Sequence, residues 1–219
     1  MNKWLISLLS VLFAFESAAL TRLPEEFTIV ERFFSLVSTF DVSTDLEPFA
    51  VARKRFLSLT PAFDLENTQG EIVATAKTRF FAWGTIADVT DSDDTPIGRI
   101  EEELIRILPW AEYKIYNREN QLVAIAKMDF LGTSFDLYHP DNSEEIYAII
   151  SRPFIRFYRD HWTVQIRNYS VFEENGIDPR LLILLALFQT DKDSRDRTRL
   201  EIQDQLRREW DDYEGRRVS

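Results

Sequence analysis

Large apolar residues recur along this chain in a fixed order. Phe33-Phe34-Ser35-Leu36-Val37-Ser38-Thr39-Phe40-Asp41-Val42 opens with two bulky side chains, passes through a small or polar middle, and returns to an aromatic residue before an extended end. The same template is written in Phe56-Leu57-Ser58-Leu59-Thr60-Pro61-Ala62-Phe63-Asp64-Leu65, in Phe80-Phe81-Ala82-Trp83-Gly84-Thr85-Ile86-Ala87-Asp88-Val89 and in Phe130-Leu131-Gly132-Thr133-Ser134-Phe135-Asp136-Leu137. A weaker copy runs from Arg106 through Leu108-Pro109-Trp110 to Tyr113-Lys114-Ile115, and Phe154 to Val164 falls where a sixth unit should begin. The starts at 33, 56, 80, 106 and 130 are 23, 24, 26 and 24 residues apart. Repetition at such a period marks one supersecondary unit used many times.

Each unit is long enough for two strands and a turn. Asn67 to Lys77 matches Asn117 to Lys127 at a shift of 50, and Ile97-Gly98-Arg99-Ile100 echoes Ile146-Tyr147-Ala148-Ile149 at a shift of 49. Turn residues cluster at Glu66-Asn67-Thr68-Gln69-Gly70, Asp91 to Pro96, Asn117-Arg118-Glu119-Asn120 and Pro140-Asp141-Asn142-Ser143. Between them, stretches such as Lys114-Ile115-Tyr116 and Asp136-Leu137-Tyr138 alternate polar with apolar, so their side chains point to opposite faces of a sheet. About six hairpins and twelve strands follow. Many twisted strands curl or close because closure removes exposed edges, so a barrel is expected. A two-sheet sandwich also satisfies the alternation.

One segment breaks the pattern. In Asp178-Pro179-Arg180-Leu181-Leu182-Ile183-Leu184-Leu185-Ala186-Leu187-Phe188-Gln189-Thr190-Asp191, every residue from Leu181 to Phe188 is apolar. Asp178 is a good N-cap, and Pro179 fits the first turn, where no amide hydrogen is needed. A helix with no polar face must be covered on all sides. About a dozen residues reach only ~18 Å, short of a bilayer. The expectation is a helix threaded through the barrel.

The amino terminus adds a compartment. Met1-Asn2-Lys3 is a short positive start, Trp4 to Phe15 is an apolar run of twelve, and Ser17-Ala18-Ala19 offers small residues for cleavage after Ala19. This layout predicts a signal peptide over 1–19, a barrel domain over 20–191 and export to the periplasm or the exterior.

Charge narrows the partners. The 219 residues carry 26 Lys plus Arg against 37 Asp plus Glu, a net charge of -11, which argues against nucleic acid and against anionic headgroups as general partners. With no cysteine there is no thiol nucleophile, disulfide or thiolate metal site. Phenylalanine is plentiful at 17, and the aromatic rings, Trp83, Trp110 and Trp162 among them, read as core.

Candidate chemistry is sparse. Asp91, Asp93 and Asp94 share a turn and offer hard oxygen ligands, but neither the glycine nor the terminal glutamate of a calcium loop follows, so they read as a solvated hairpin. His139 and His161 are the two histidines and read as turn or surface residues. Lys77 and Lys127 occupy matching repeat positions and read as edge lysines that protect the sheet. No nucleophile elbow, phosphate loop or zinc-protease helix occurs. The reading is therefore no enzyme, with no catalytic residue, no metal and no cofactor assigned.

Residues 192–219 form a charged tail. Ile202, Leu206, Trp210 and Tyr213 make one helical stripe, Thr198 with Glu201 fits a capping box, and Gly215 is placed to end the helix. The expectation is an amphipathic helix lying on the barrel wall or docking a protein partner.

The Phe-Phe-Ser-Leu openings, the Ala74-Thr75-Ala76-Lys77 and Ala124-Ile125-Ala126-Lys127 pair, the Trp83-Gly84-Thr85 and Leu131-Gly132-Thr133 pair, and the Asp178-Pro179-Arg180-Leu181-Leu182 helix together resemble the LURP-one-related and phospholipid-scramblase group over about residues 27–191. That resemblance implies a twelve-stranded barrel around a hydrophobic C-terminal helix, the fold of the tubby C-terminal domain. Tubby domains bind phosphoinositides through a basic surface, and scramblases are linked to calcium-dependent lipid movement. This chain has neither the cysteine-rich stretch of the animal scramblases nor a counterpart of their acidic calcium loop, so the resemblance carries fold rather than activity. The combined expectation is an exported, bacterial-type, non-enzymatic binding module for a lipid or apolar ligand. The alternative is a membrane-active phospholipid-transfer or scramblase-like protein.

Overall fold

The computed structural model describes residues 20, 22–32, 35–79, 85–103, 111–154 and 160–218, the backbone alone for 211–218. Twelve strands follow one another: β1 (Glu26–Glu31), β2 (Thr39–Ser43), β3 (Pro48–Lys54), β4 (Ala62–Asn67), β5 (Ile72–Thr78) and β6 (Ile86–Asp91). The second half holds β7 (Pro96–Glu103), β8 (Glu112–Asn117), β9 (Leu122–Met128), β10 (Ser134–His139), β11 (Asn142–Ser151) and β12 (His161–Ile166). Two helices end the chain, α1 (Tyr169–Glu174) and α2 (Arg180–Val218). Among the described residues, no helix is long and apolar enough to cross a membrane.

Every strand pairs with its sequence neighbours, and β1 pairs antiparallel with β12, from Glu26 opposite Gln165 to Val30 opposite His161, which closes the barrel. The sandwich is thereby excluded. Alternation sets the faces, as in β8, where Tyr113 and Ile115 are buried between partly exposed neighbours. The inner layer includes Phe40, Phe63, Phe135 and Trp162, with Phe135 stacked on Trp162 at 5.9 Å.

Antiparallel succession puts the connections alternately at two ends. One end holds the turns 44–47, 68–71, 92–95, 118–121 and 140–141, where the sequence places its turn clusters. Three of them share one shape: Gly70, Asp94 and Asn120 each lie three residues after the last strand residue and adopt positive φ of 80°, 60° and 61°. Glycine, Asn and Asp tolerate that region best. The other end, the loop end, holds 32–38, 55–61, 129–133 and 152–160, together with the β5–β6 and β7–β8 connections.

The barrel with the first turn of α2, through Leu184, forms one compact unit, and the remainder of α2, from Leu185, forms a second. Asp178 caps α2 as the sequence predicts, its Oδ1 accepting the Arg180 amide at 3.0 Å. Leu181 reaches Gly98 on the inward face of β7, and Leu181 to Leu184 are fully buried, so the helix begins inside the barrel. Leu185, Ala186, Leu187 and Phe188 are also buried.

One expectation requires correction. The tail does not start a new helix at Thr198: α2 is continuous from Arg180 to Val218, and the Thr198 hydroxyl bonds back to the Ser194 carbonyl at 3.0 Å instead of capping. Ile202, Leu206 and Trp210 of its stripe are exposed. The proposed signal peptide over 1–19 lies outside the described residues, as do Trp83 and Trp110.

Candidate functional site

Three of the six units contain a second pattern, an arginine at the base of the loop and an aspartate nine residues later. Arg32 clamps Asp41 at 2.6 Å, Arg55 clamps Asp64 at 2.6 Å and Arg79 clamps Asp88 at 2.7 Å, each across the outer wall. Hydrogen bonding to the arginine holds the Asp88 carboxyl below its ordinary range. The signal was legible in Arg-Phe-Phe, Arg-Phe-Leu and Phe-Asp-Val but was masked by attention to the apolar positions.

The β9–β10 unit breaks this pattern. Its loop is two residues shorter than that of β3–β4, from Phe130 to Phe135 against Phe56 to Phe63, and Asp129 stands in the arginine's place. Asp129 turns into its own loop, accepting from the Thr133 amide and hydroxyl at 2.6 Å each and from the Ser134 amide at 3.0 Å. Burial would raise its carboxyl, but these hydrogen bonds outweigh it and leave the pKa lowered. Asp136 faces Lys127 in the β9–β10 register.

A groove of about 430 Å³ opens on the outer wall at this position, bounded by Lys127, Asp129, Phe130, Asp136, Tyr138 and Ile146, with Met128 and Ser143 also lining it. Phe130 and Ile146 are exposed apolar surface, and Lys127 supplies a cation. Desolvation, with the nearby Glu112 charge, raises the Tyr138 phenol, so it offers a neutral hydroxyl. Such a lining, apolar surface edged by the Lys127 cation, the Asp129 and Asp136 carboxylates and one neutral donor, suits an amphiphile and lacks a nucleophile paired to a base. A second cleft of about 470 Å³ at the turn end is bounded by Leu20, Arg22, Leu23, Phe49 and Tyr169; the Tyr169 hydroxyl accepts the Leu23 amide at 2.7 Å.

The other sequence candidates are dispersed. His139 ends β10 at the turn end, where its Nδ1 accepts the Asp141 amide at 3.1 Å and its ring meets Tyr147 edge-on; His161 begins β12 at the loop end. Lys77 lies opposite Asp88 on β6, and of the two lysines only Lys127 borders the groove. Asp91 serves α2: its carboxylate lies 3.6 Å from Arg180, whose guanidinium donates to Asp178 at 2.7 and 2.9 Å and to the Val73 carbonyl. Burial would raise the Asp91 carboxyl, but bonds from Ser92 and the Arg180 charge leave it lowered. Asp93 and Asp94 are exposed, and among the described residues no group of three His, Cys, Asp or Glu could hold a metal.

The closed twelve-stranded barrel with a helix beginning inside it defines a tubby-like architecture. The LURP-one-related family model matches residues 25–188, so the chain belongs to the LURP-one-related family. An X-ray structure of a protein from Arabidopsis thaliana superposes with a TM-score of 0.52 at 13% identity, covering 79% of this chain and 94% of that one, a likeness of fold. No curated protein matches the chain.

Proposed function

We propose that this member of the family is an exported, non-enzymatic binding module that takes an amphiphilic, lipid-like ligand in the groove on β9, β10 and β11. The observation that carries the reading is the missing clamp: where three other repeats lay an arginine across the wall, Asp129 turns into its own loop and Phe130, Ile146 and Lys127 border open space. An acyl chain would lie against Phe130 and Ile146, and a polar head would meet Lys127 and the Tyr138 hydroxyl. The positive start, apolar run and small residues of 1–19 support export. The exposed stripe of Leu200, Ile202, Leu206 and Trp210 supports a protein contact through the tail.

Native mass spectrometry of gently purified protein tests the groove. A lipid-mass adduct on the wild type that is lost in Ile146→Asp is the expected result. A bare chain mass, with no fluorescence gain on titration with anilinonaphthalene sulfonate, would rule it out.

A further inference from the structure

Among the described residues, the opening pairs Phe56-Leu57 and Phe130-Leu131 are bare. Leu36, Phe56, Leu57, Leu59, Phe130, Leu131 and Phe154 are each 60% exposed or more. All sit in loop-end connections, because antiparallel succession returns every second connection to that end. The order of strands in the barrel makes their four loops neighbours, since β12 lies beside β1: β9–β10, β11–β12, β1–β2, β3–β4. The bare residues thus form one arc along the rim, and one of them, Phe130, also borders the groove. At the turn end, Leu46 alone is comparably bare among the described residues.

Charge is divided in the same way. The turns carry Asp45, Glu47, Glu71, Asp93, Asp94 and Glu119. The described residues of the loop-end connections hold two carboxylates, and neither faces water freely. Asp129 is bound by Thr133 and Ser134, and Asp160, 3% exposed, pairs with Arg152 at 3.4 Å. The described loop residues thus carry no freely exposed carboxylate, and at the loop bases Arg32 and Arg55 are paired with Asp41 and Asp64.

We propose that this arc docks the barrel on a lipid bilayer, with Leu36, Phe56, Leu57, Leu59, Leu131 and Phe154 entering the headgroup region. Separate apolar tips on neighbouring loops at one rim can enter the headgroup region side by side. Bulky apolar tips on loops whose described residues hold no freely exposed carboxylate match an interface that is apolar inside. The docking gives the lipid-like reading of the groove, on which it rests, a source: Phe130 places the groove mouth beside the membrane.

Flotation of the full chain with vesicles of phosphatidylcholine and phosphatidylglycerol tests the inference. Wild type floats, and the double variant Leu57→Asp, Leu59→Asp loses about tenfold or more of the floated fraction at unchanged melting temperature. Leu36→Asp with Phe154→Asp, on neighbouring loops, gives the same loss. Ile146→Asp, in the groove and off the arc, still floats. A wild type that stays with the dense fraction, or loop variants that float like wild type, would overturn the docking. If the wild type does not float while the lipid adduct persists, the docking falls and the groove reading stands. If it floats without any adduct, the groove reading falls and the arc stands.

Discussion

Leu181 occupies the space that a side chain on Gly98 would need: a Cβ there would lie 2.8 Å from Leu181 Cδ1 and 2.7 Å from the Tyr116 carbonyl oxygen. The first turn of the apolar helix thus touches the backbone of β7 directly. Glycine is required here by close approach, because one of the two obstacles is main chain and cannot turn aside.

Gly98→Ala should destabilise the protein by about 1–3 kcal/mol through overpacking. Urea unfolding would read this as a lower midpoint at unchanged slope. An unaltered midpoint would mean that the helix and wall are not pressed together.

Leu184→Asp should yield no folded protein. Leu184 is fully buried, and an unpaired carboxylate there costs several kcal/mol against a total stability of roughly 5–15. Soluble protein with native circular dichroism and an unchanged melting temperature would refute the buried helix.

Two arginine pairs of similar length should differ in worth. The Arg180 side chain is 5% exposed and its partner Asp178 12%, so Arg180→Met strands a buried carboxylate and the Val73 carbonyl, at about 3 kcal/mol. Arg55 is 37% exposed, and Arg55→Met should cost under about 1 kcal/mol. Chemical denaturation of both variants checks the ranking, and equal effects would contradict it.

Tyr147 makes alkaline stability informative. Its hydroxyl is buried without a hydrogen-bond partner, and burial pushes the phenol from 10.0 up to about 12. The folded state therefore holds this proton where the unfolded state has lost it. Its stabilising contribution is complete below pH 10 and declines as pH rises towards about 12. Tyr147→Phe should flatten that part of the stability profile and be neutral or slightly stabilising at pH 7. A profile parallel to wild type from pH 10 to 12 would count against the shift.

Much of the architecture was legible along the chain. Period-two stretches such as Lys114-Ile115-Tyr116, the turn clusters at Asn67 and Asn117, and the unbroken apolar run after Arg180 identify strands, hairpins and the covered helix, because each is a local consequence of side-chain direction or burial. The family resemblance rested on the same residues. The groove was less legible. Its clue was Asp129 in the place that Arg32, Arg55 and Arg79 hold in three other units, and it acquires meaning only when Arg55 is seen lying over Asp64, six strands away around the barrel.

Sequence order alone determined the repeating unit, the strand count, the helix and its Asp178 cap. Tertiary structure decided what the repeated bulky residues do. Phe63 and Phe135 are core while Phe56 and Phe130 face solvent, although all four occupy the same template. A side chain's face within a strand is set by its neighbours in sequence. The end at which a loop emerges, and which other loops stand beside it, is set by antiparallel pairing around the closed barrel, including the contact between β1 and β12 that joins residues more than a hundred positions apart.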